Sequence, residues 1–350
     1  MFKVQERSAR PAELALIDDL VTHYRGAHAL MAAVTLGIFD ALGGGPQTAG
    51  QVAQRIGAVE RATAALLEAL VALRFLEAGG GLYRNAPVAE QYLKRDSERS
   101  LASNLQYQQL LAEAWARLPQ VVRTGRPALT LPQLLDEHPE FVERYIHGMA
   151  EISRVPAQEL ASRLDLADVR NVLDLGGGGG VYAQAVAERS PELRVVLMDV
   201  EPVLRIAEQR LGDWADRRQI ELREGDYHTA EFGVEAFDLV LFSHVLHDEG
   251  ESECKRLLQK AFHALVPGGQ LIIHDFMPGS DGQHRLFPAL FSLHMLVYTQ
   301  KGRAYRADEY ETWLRDAGFR EPRRVAICAD RPTSTTAIIA RKPCVSIGSA

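Results

Sequence analysis

Apolar residues recur at intervals of three and four from about Ala12 to Leu101, as in "RGAHALMAAVTLGIFDAL" and "VERATAALLEALVALRFL", which predicts amphipathic helices. The segment "GGGLYRN", Gly79 to Asn85, then reads as a tight turn between two short strands. Helices followed by a small hairpin predict a winged helix. After about Asp165 the pattern changes to short apolar runs separated by helical segments: "VRNVLDL", "LRVVLMDV", "IELREGDY", "FDLVLFSHV", "GGQLIIHDFM", and finally "RRVAIC" with "TSTTAIIARK". Strand alternating with helix predicts an α/β domain built on a parallel, doubly wound sheet. The last two runs lie too close together for a crossover helix and are expected to pair antiparallel at one edge. The span between the halves, about Ala102 to Leu164, is helical and is expected to join the domains and roof the site. The expected division is a winged-helix-like unit over 1–105, a connector over 106–165 and the sheet domain over 166–345.

A chain of 350 residues exceeds a single core of about 100–200 residues, in keeping with two domains. Its 47% hydrophobic and 24% charged content is ordinary for a globular protein, and the formal charge of −7 argues against a general nucleic-acid binder. A winged helix admits a DNA-binding reading, but the candidate recognition helix Glu60 to Leu76 sets Arg61 and Arg74 against Glu60 and Glu68 and is otherwise mostly apolar. That favours dimerisation, hence a homodimer. The opening "MFKVQERSARPAELALIDDL" has no apolar leader core, and no run approaches the ~20 apolar residues of a membrane span, so a cytoplasmic location is expected. Cys254, Cys328 and Cys344 are odd in number and widely spaced, and read as reduced thiols.

Candidate chemistry begins at "VLDLGGGGGVY", Val172 to Tyr182, which ends one strand and opens a helix. The dinucleotide pattern G-x-G-x-x-G fails there, because counting from Gly176 the last position is Val181 and counting from Gly177 it is Tyr182. Asp174, two residues before the first glycine, would repel a pyrophosphate and suit a cation. S-adenosylmethionine (SAM) carries an ammonium, a sulfonium and no phosphate. Asp199 ends the next strand, where a carboxylate can accept both hydrogen bonds of a ribose diol. Asp226 in "EGDYH" could accept from an adenine amino group, with Tyr227 against the ring. Any one of these aspartates is an ordinary strand-end residue. Three in succession at carboxyl ends point to a ligand.

With these residues in view, the chain resembles the dimeric class I SAM-dependent methyltransferases that act on small molecules, the group of plant caffeate and flavonoid O-methyltransferases and bacterial natural-product enzymes. The likeness runs through "DLGGGGG", Asp199, "GDYH", "HVLHDE" and "VPGGQLIIHDFMP" and covers nearly the whole chain. It implies a Rossmann-like catalytic sheet behind a helical winged-helix dimerisation domain, and cofactor contacts at Gly176, Gly178, Asp199, Asp226, Tyr227 and Ser243. It also implies that His247, in "SHVLHDE", is the general base that deprotonates a phenol, a task suited to imidazole near neutral pH. Those enzymes hold that histidine with two glutamates. The corresponding positions here read His274 and Ala304, so His247 is expected to lack carboxylate support.

His294, in "LFSLHMLVYTQKGRAY", would by itself be a packed core residue. Together with His247 and Asp248 it makes two imidazoles and one carboxylate, the composition of a metal-binding facial triad. Here the chain is similar to the metal-dependent α-keto acid C-methyltransferases of nonribosomal-peptide pathways, whose ligands carry over onto His247, Asp248 and His294. That resemblance implies a divalent metal (Zn, Fe, Co, Ni or Mn) and Cβ-methylation of an α-keto acid through its enolate, as in antibiotic biosynthesis. O-methylation of a phenol or enol by His247, transfer to another acceptor, and a catalytically inactive SAM-binding regulator are the alternatives. His244 is expected to line the pocket, His228 and His274 to be structural, and Arg123 or Arg303 to hold a keto acid's carboxylate.

Overall fold

The first apolar run folds as helix Ala12–Leu36, followed by Ile38–Leu42, Ala49–Ile56 and Glu60–Ala72, in a computed structural model that describes residues 12–130, 133, 139–212, 219–279 and 286–344. The chain divides into two compact units, Met1–Leu110 and Leu111–Ala350. Thr48 starts the third helix with a reciprocal cap: its hydroxyl accepts from Gln51 N–H, and the Gln51 side chain accepts from Thr48 N–H. Strand β1 (Leu76–Gly79) pairs antiparallel with β2 (Leu82–Asn85) across Gly80 and Gly81. The expected recognition helix therefore stops at Ala72, and its Leu67 and Leu70 are fully buried against Ile38, Phe39 and Leu42. Leu16, Ile17, Leu20, Val21 and Tyr24 remain exposed on the first helix, an apolar surface the unit does not bury itself.

The second unit carries seven strands: β3 (Asn171–Leu175), β4 (Arg194–Asp199), β5 (Ile220–Glu224), β6 (Phe237–Ser243), β7 (Leu265–Asp275), β8 (Arg320–Ile327) and β9 (Thr335–Arg341). Their order is β5-β4-β3-β6-β7-β9-β8, parallel through β7 and antiparallel for the last two. The closing pair forms as expected, with one refinement: β9 inserts between β7 and β8. Burial explains it, since "TTAIIA" of β9 is wholly buried, whereas β8 exposes Arg320, Arg323 and Arg324 and makes a charged edge that resists further pairing. Alternate residues feed opposite faces, with Leu173, Leu175, Val240 and Phe242 in one core and Val172, Leu239 and Leu241 in the other. Strand order reverses between β3 and β6, and the crevice at such a switch point is where doubly wound sheets bind ligands. Helices Leu118–Thr124 and Pro139–Arg163 precede the sheet. No described helix is long and apolar enough to cross a membrane.

Candidate active site

One wall of the crevice is the loop after β3. Gly176 has φ +64°, and a Cβ there would lie 2.8 Å from Val245 Cγ2 and 3.8 Å from Tyr227 Cε1, so glycine lets the loop close on both neighbours. Gly178 N–H donates to Asp199 Oδ2 (2.9 Å) and Val200 N–H to Asp199 Oδ1 (2.8 Å), which fixes that carboxylate at the end of β4. A Cβ on Gly178 would meet nothing within 4 Å, so its backbone faces open space. Asp174 is buried and neither of its oxygens has a hydrogen-bond partner. Burial, reinforced by the charge of Asp199, pushes its pKa up to about 7, while an amide contact from Ala183, short of hydrogen-bond geometry, works the other way. Asp226 is exposed and accepts from His228 N–H (2.8 Å), and Tyr227 donates to Glu249 Oε1 (2.9 Å).

The facing wall follows β6. His244 takes a left-handed backbone (φ 57°), and a single 3-10 turn, Leu246–Asp248, then presents His247 and Asp248. Gly302 packs against this turn so closely that a Cβ would fall 2.3 Å from the His247 carbonyl oxygen. His247 Nδ1 bonds Asp275 Oδ1 at 2.7 Å, and Asp275 is held in turn by Phe276 N–H on Oδ1 (2.7 Å) and Tyr310 O–H on Oδ2 (3.0 Å). With a carboxylate accepting at Nδ1, the neutral ring keeps its proton there and leaves the Nε2 lone pair free, 3.7 Å from Asp248 Oδ1. Burial opposes the imidazolium, but Asp275 and Asp248 outweigh it and raise His247 to about 9. Burial likewise opposes the charge of Asp275, and His247 and His244 overcome it and hold the group well below the usual carboxylate range. Asp248 is lifted to about 6 by burial, with His247 pulling the other way.

This corrects the expectation that His247 lacks carboxylate support. The supporting group sits one residue past the position expected to hold a glutamate. His274 is turned into the sheet, where it bonds Ser243 Oγ (3.2 Å) and Thr335 Oγ1 (2.6 Å), and Asp275, at the end of β7, faces the turn. Ala304, the second expected position, is buried and contributes no carboxylate. Ser243, expected to touch the cofactor, has its hydroxyl against His274.

Helix Leu286–Tyr298 supplies His294, and Trp115 Nε1–H donates to its Nδ1 at 3.2 Å. With the indole donating at Nδ1, the proton of the neutral ring is on Nε2. Among the described residues the donor atoms that gather within 4.8 Å belong to His244, His247 and Asp275, so His294 is not drawn together with His247 and Asp248. Phe291 stands edge-on to His247 (4.8 Å between ring centroids) and stacks on His294 (5.8 Å), and Phe276 and Phe287 extend the aromatic surface. Arg303 is engaged by Glu309 (2.6 Å) and lies over Tyr305, and Arg123 is exposed on its helix.

Residues 107–320 match the O-methyltransferase domain, and residues 19–95 match the O-methyltransferase dimerisation domain. The chain belongs to the O-methyltransferase family. As an O-methyltransferase family member it is a SAM-dependent small-molecule methyltransferase. It is 33% identical over 314 residues to the 3-hydroxy-5-methyl-1-naphthoate 3-O-methyltransferase of Streptomyces sahachiroi, across 89% of this chain and 90% of that protein. Human N-acetylserotonin methyltransferase in complex with SAM superposes with a TM-score of 0.86 at 28% identity, covering 96% of this chain and 99% of that one. The family's relatives also reach a carbon acceptor: the L-tyrosine C(3)-methyltransferase of Streptomyces lavendulae is 28% identical over 305 residues, across 83% of this chain and 82% of that protein.

Proposed function

We propose that the chain transfers the methyl group of SAM to a hydroxyl oxygen of a flat aromatic or enolic small molecule, with His247 as general base. The 2.7 Å bond from His247 Nδ1 to Asp275 carries this reading. A bound hydroxyl donates to the Nε2 lone pair and its proton passes to that nitrogen as the oxygen attacks. The imidazolium so formed lies between Asp275 and Asp248, whose charges stabilise it. When bound, SAM supplies a methyl on a sulfonium sulfur that leaves as a neutral thioether. On the loop wall Asp174 would face the cofactor's ammonium, Asp199 its ribose diol, and Asp226 with Tyr227 its adenine, along the backbone of Gly176 and Gly178 and beside Ser243. A buried carboxylate with no partner suits a cation and would oppose a pyrophosphate.

Metal-assisted Cβ-methylation of an α-keto acid, with His247, Asp248 and His294 as ligands, has one observation in its favour: Asp248 stands 3.7 Å from His247 Nε2. Product analysis separates the readings. With SAM and a panel of hydroxyarenes and α-keto acids, NMR should find O-methyl products, and His247→Ala should lower turnover at least ~100-fold while SAM affinity stays within about twofold. Full activity of His247→Ala would remove the base, and a C-methylated keto acid formed only by metal-loaded enzyme would install the alternative. Two chains pair through the dimerisation unit in this reading, and light scattering should return the mass of two chains. A single-chain mass would contradict it.

A further inference from the structure

Trp115 and His294 lie 179 positions apart, and the bond between them decides what His294 offers. An indole nitrogen only donates, so His294 Nδ1 must accept and the neutral ring keeps its proton on Nε2. Burial, and after it the charge of His247, holds the ring's pKa down to about 4, so it stays neutral through the physiological range. Nε2 has no protein partner among the described residues and is not one of the buried unpaired atoms, so it opens onto free space. Phe291 contacts both imidazoles, edge-on at His247 and stacked at His294, which places the two rings on one pocket.

We propose that His294 is a fixed hydrogen-bond donor that selects acceptors carrying a second lone pair, of the carbonyl or ring-nitrogen class, besides the hydroxyl that is methylated. The identity of that hydroxyl rests on the function proposed above, but the donor does not. An imidazole without Trp115 would interconvert between tautomers and present a lone pair as readily as an N–H. The indole removes that choice and makes the two histidines complementary: His247 Nε2 accepts a proton and His294 Nε2 donates a hydrogen bond.

Two measurements test this on the full-length dimer or monomer as isolated. In the first, 15N chemical shifts should show His294 protonated at Nε2 in the wild type, and Trp115→Phe should shift it to a mixture of tautomers. In the second, calorimetry with S-adenosylhomocysteine present compares 2-naphthol with methyl 3-hydroxy-2-naphthoate, which adds a carbonyl. The wild type should bind the ester about 5- to 10-fold more tightly, as one hydrogen bond allows. His294→Leu should erase that margin with naphthol affinity within about twofold, and His294→Gln, which keeps an N–H, should restore part of it. A margin that survives in His294→Leu, or a wild-type ring protonated at Nδ1, would overturn the proposal. Because both readouts are made without turnover, a failure to methylate oxygen would overturn the proposed function and leave this inference standing.

Discussion

Asp174 and Asp275 are carboxylates of the same sheet with the same 1% exposure, yet one has no hydrogen-bond partner and the other accepts from His247, Phe276 and Tyr310. Burial, with the charge of Asp199 adding to it, pushes the first up to about 7, and neighbouring histidines pull the second well below the usual range. A buried charge without a partner is costly, which is why the function proposed above sets a positively charged ligand group against the loop wall. On the histidine wall the carboxylate of Asp275 finds its partners within the protein. In that proposal the unpartnered carboxylate answers the cofactor and the partnered one sets the base.

The contrast breaks most sharply at Asp275. Asp275→Asn leaves the turn in place but no longer fixes the Nδ1–H tautomer or stabilises the imidazolium, and turnover should fall about 10²- to 10⁴-fold with SAM affinity nearly unchanged. The pH profile gives the sign. The base must be unprotonated and its pKa is held at about 9, so kcat/KM should rise with pH up to that value. Asp275→Asn removes the main charge that lifts it, and the limb should move to lower pH. An unmoved limb would show that another group titrates.

Asp174→Asn should act on the other wall alone. Losing a charge-assisted contact corresponds to about 1.5–3 kcal/mol, roughly 10- to 150-fold in SAM affinity, with little effect on turnover at saturation. In the wild type the carboxyl is neutral below about 7, so SAM should bind more tightly as pH climbs through 7 and release protons as it does so. Calorimetry in buffers of differing ionisation enthalpy reads both effects. If the pH dependence persists in Asp174→Asn, the titrating group lies elsewhere.

The loop wall was legible in the chain because its aspartates terminate apolar runs whose period identifies them as strands, so position follows from local pattern. The histidine wall was legible only where it is local. "SHVLHDE" marks His247, but its partner depends on the register of β6 against β7, in which Ser243 faces His274 and Asp275 reaches past the pair to the turn. A family motif read for a glutamate at His274 passed over the acid beside it. Trp115 has no pattern in common with His294 at all, and only packing reveals that an indole N–H meets this imidazole. The order β7-β9-β8 is a case between: the hairpin follows from spacing, and the burial of "TTAIIA" decides which strand is internal.

The smallest expected effect sharpens the comparison at Tyr310. Its hydroxyl donates to Asp275 Oδ2 from a fully buried position, and phenylalanine would fill the same space without that donor. The carboxylate would lose one of the contacts that spread its charge, so it would attract the His247 proton more strongly. The sign follows: the His247 pKa should rise above its value of about 9, and at neutral pH a smaller fraction of the ring would be available as base. Tyr310→Phe should therefore slow turnover about 2- to 10-fold at pH 7, the worth of one hydrogen bond, and recover most of the loss at high pH. A purely structural role for the tyrosine would lower the rate by the same factor at every pH, with a fall in melting temperature to match. Rates measured from pH 7 to 10 distinguish the two, and a pH-independent deficit would detach Tyr310 from the proton-accepting pair and leave Asp275 to hold His247 without it.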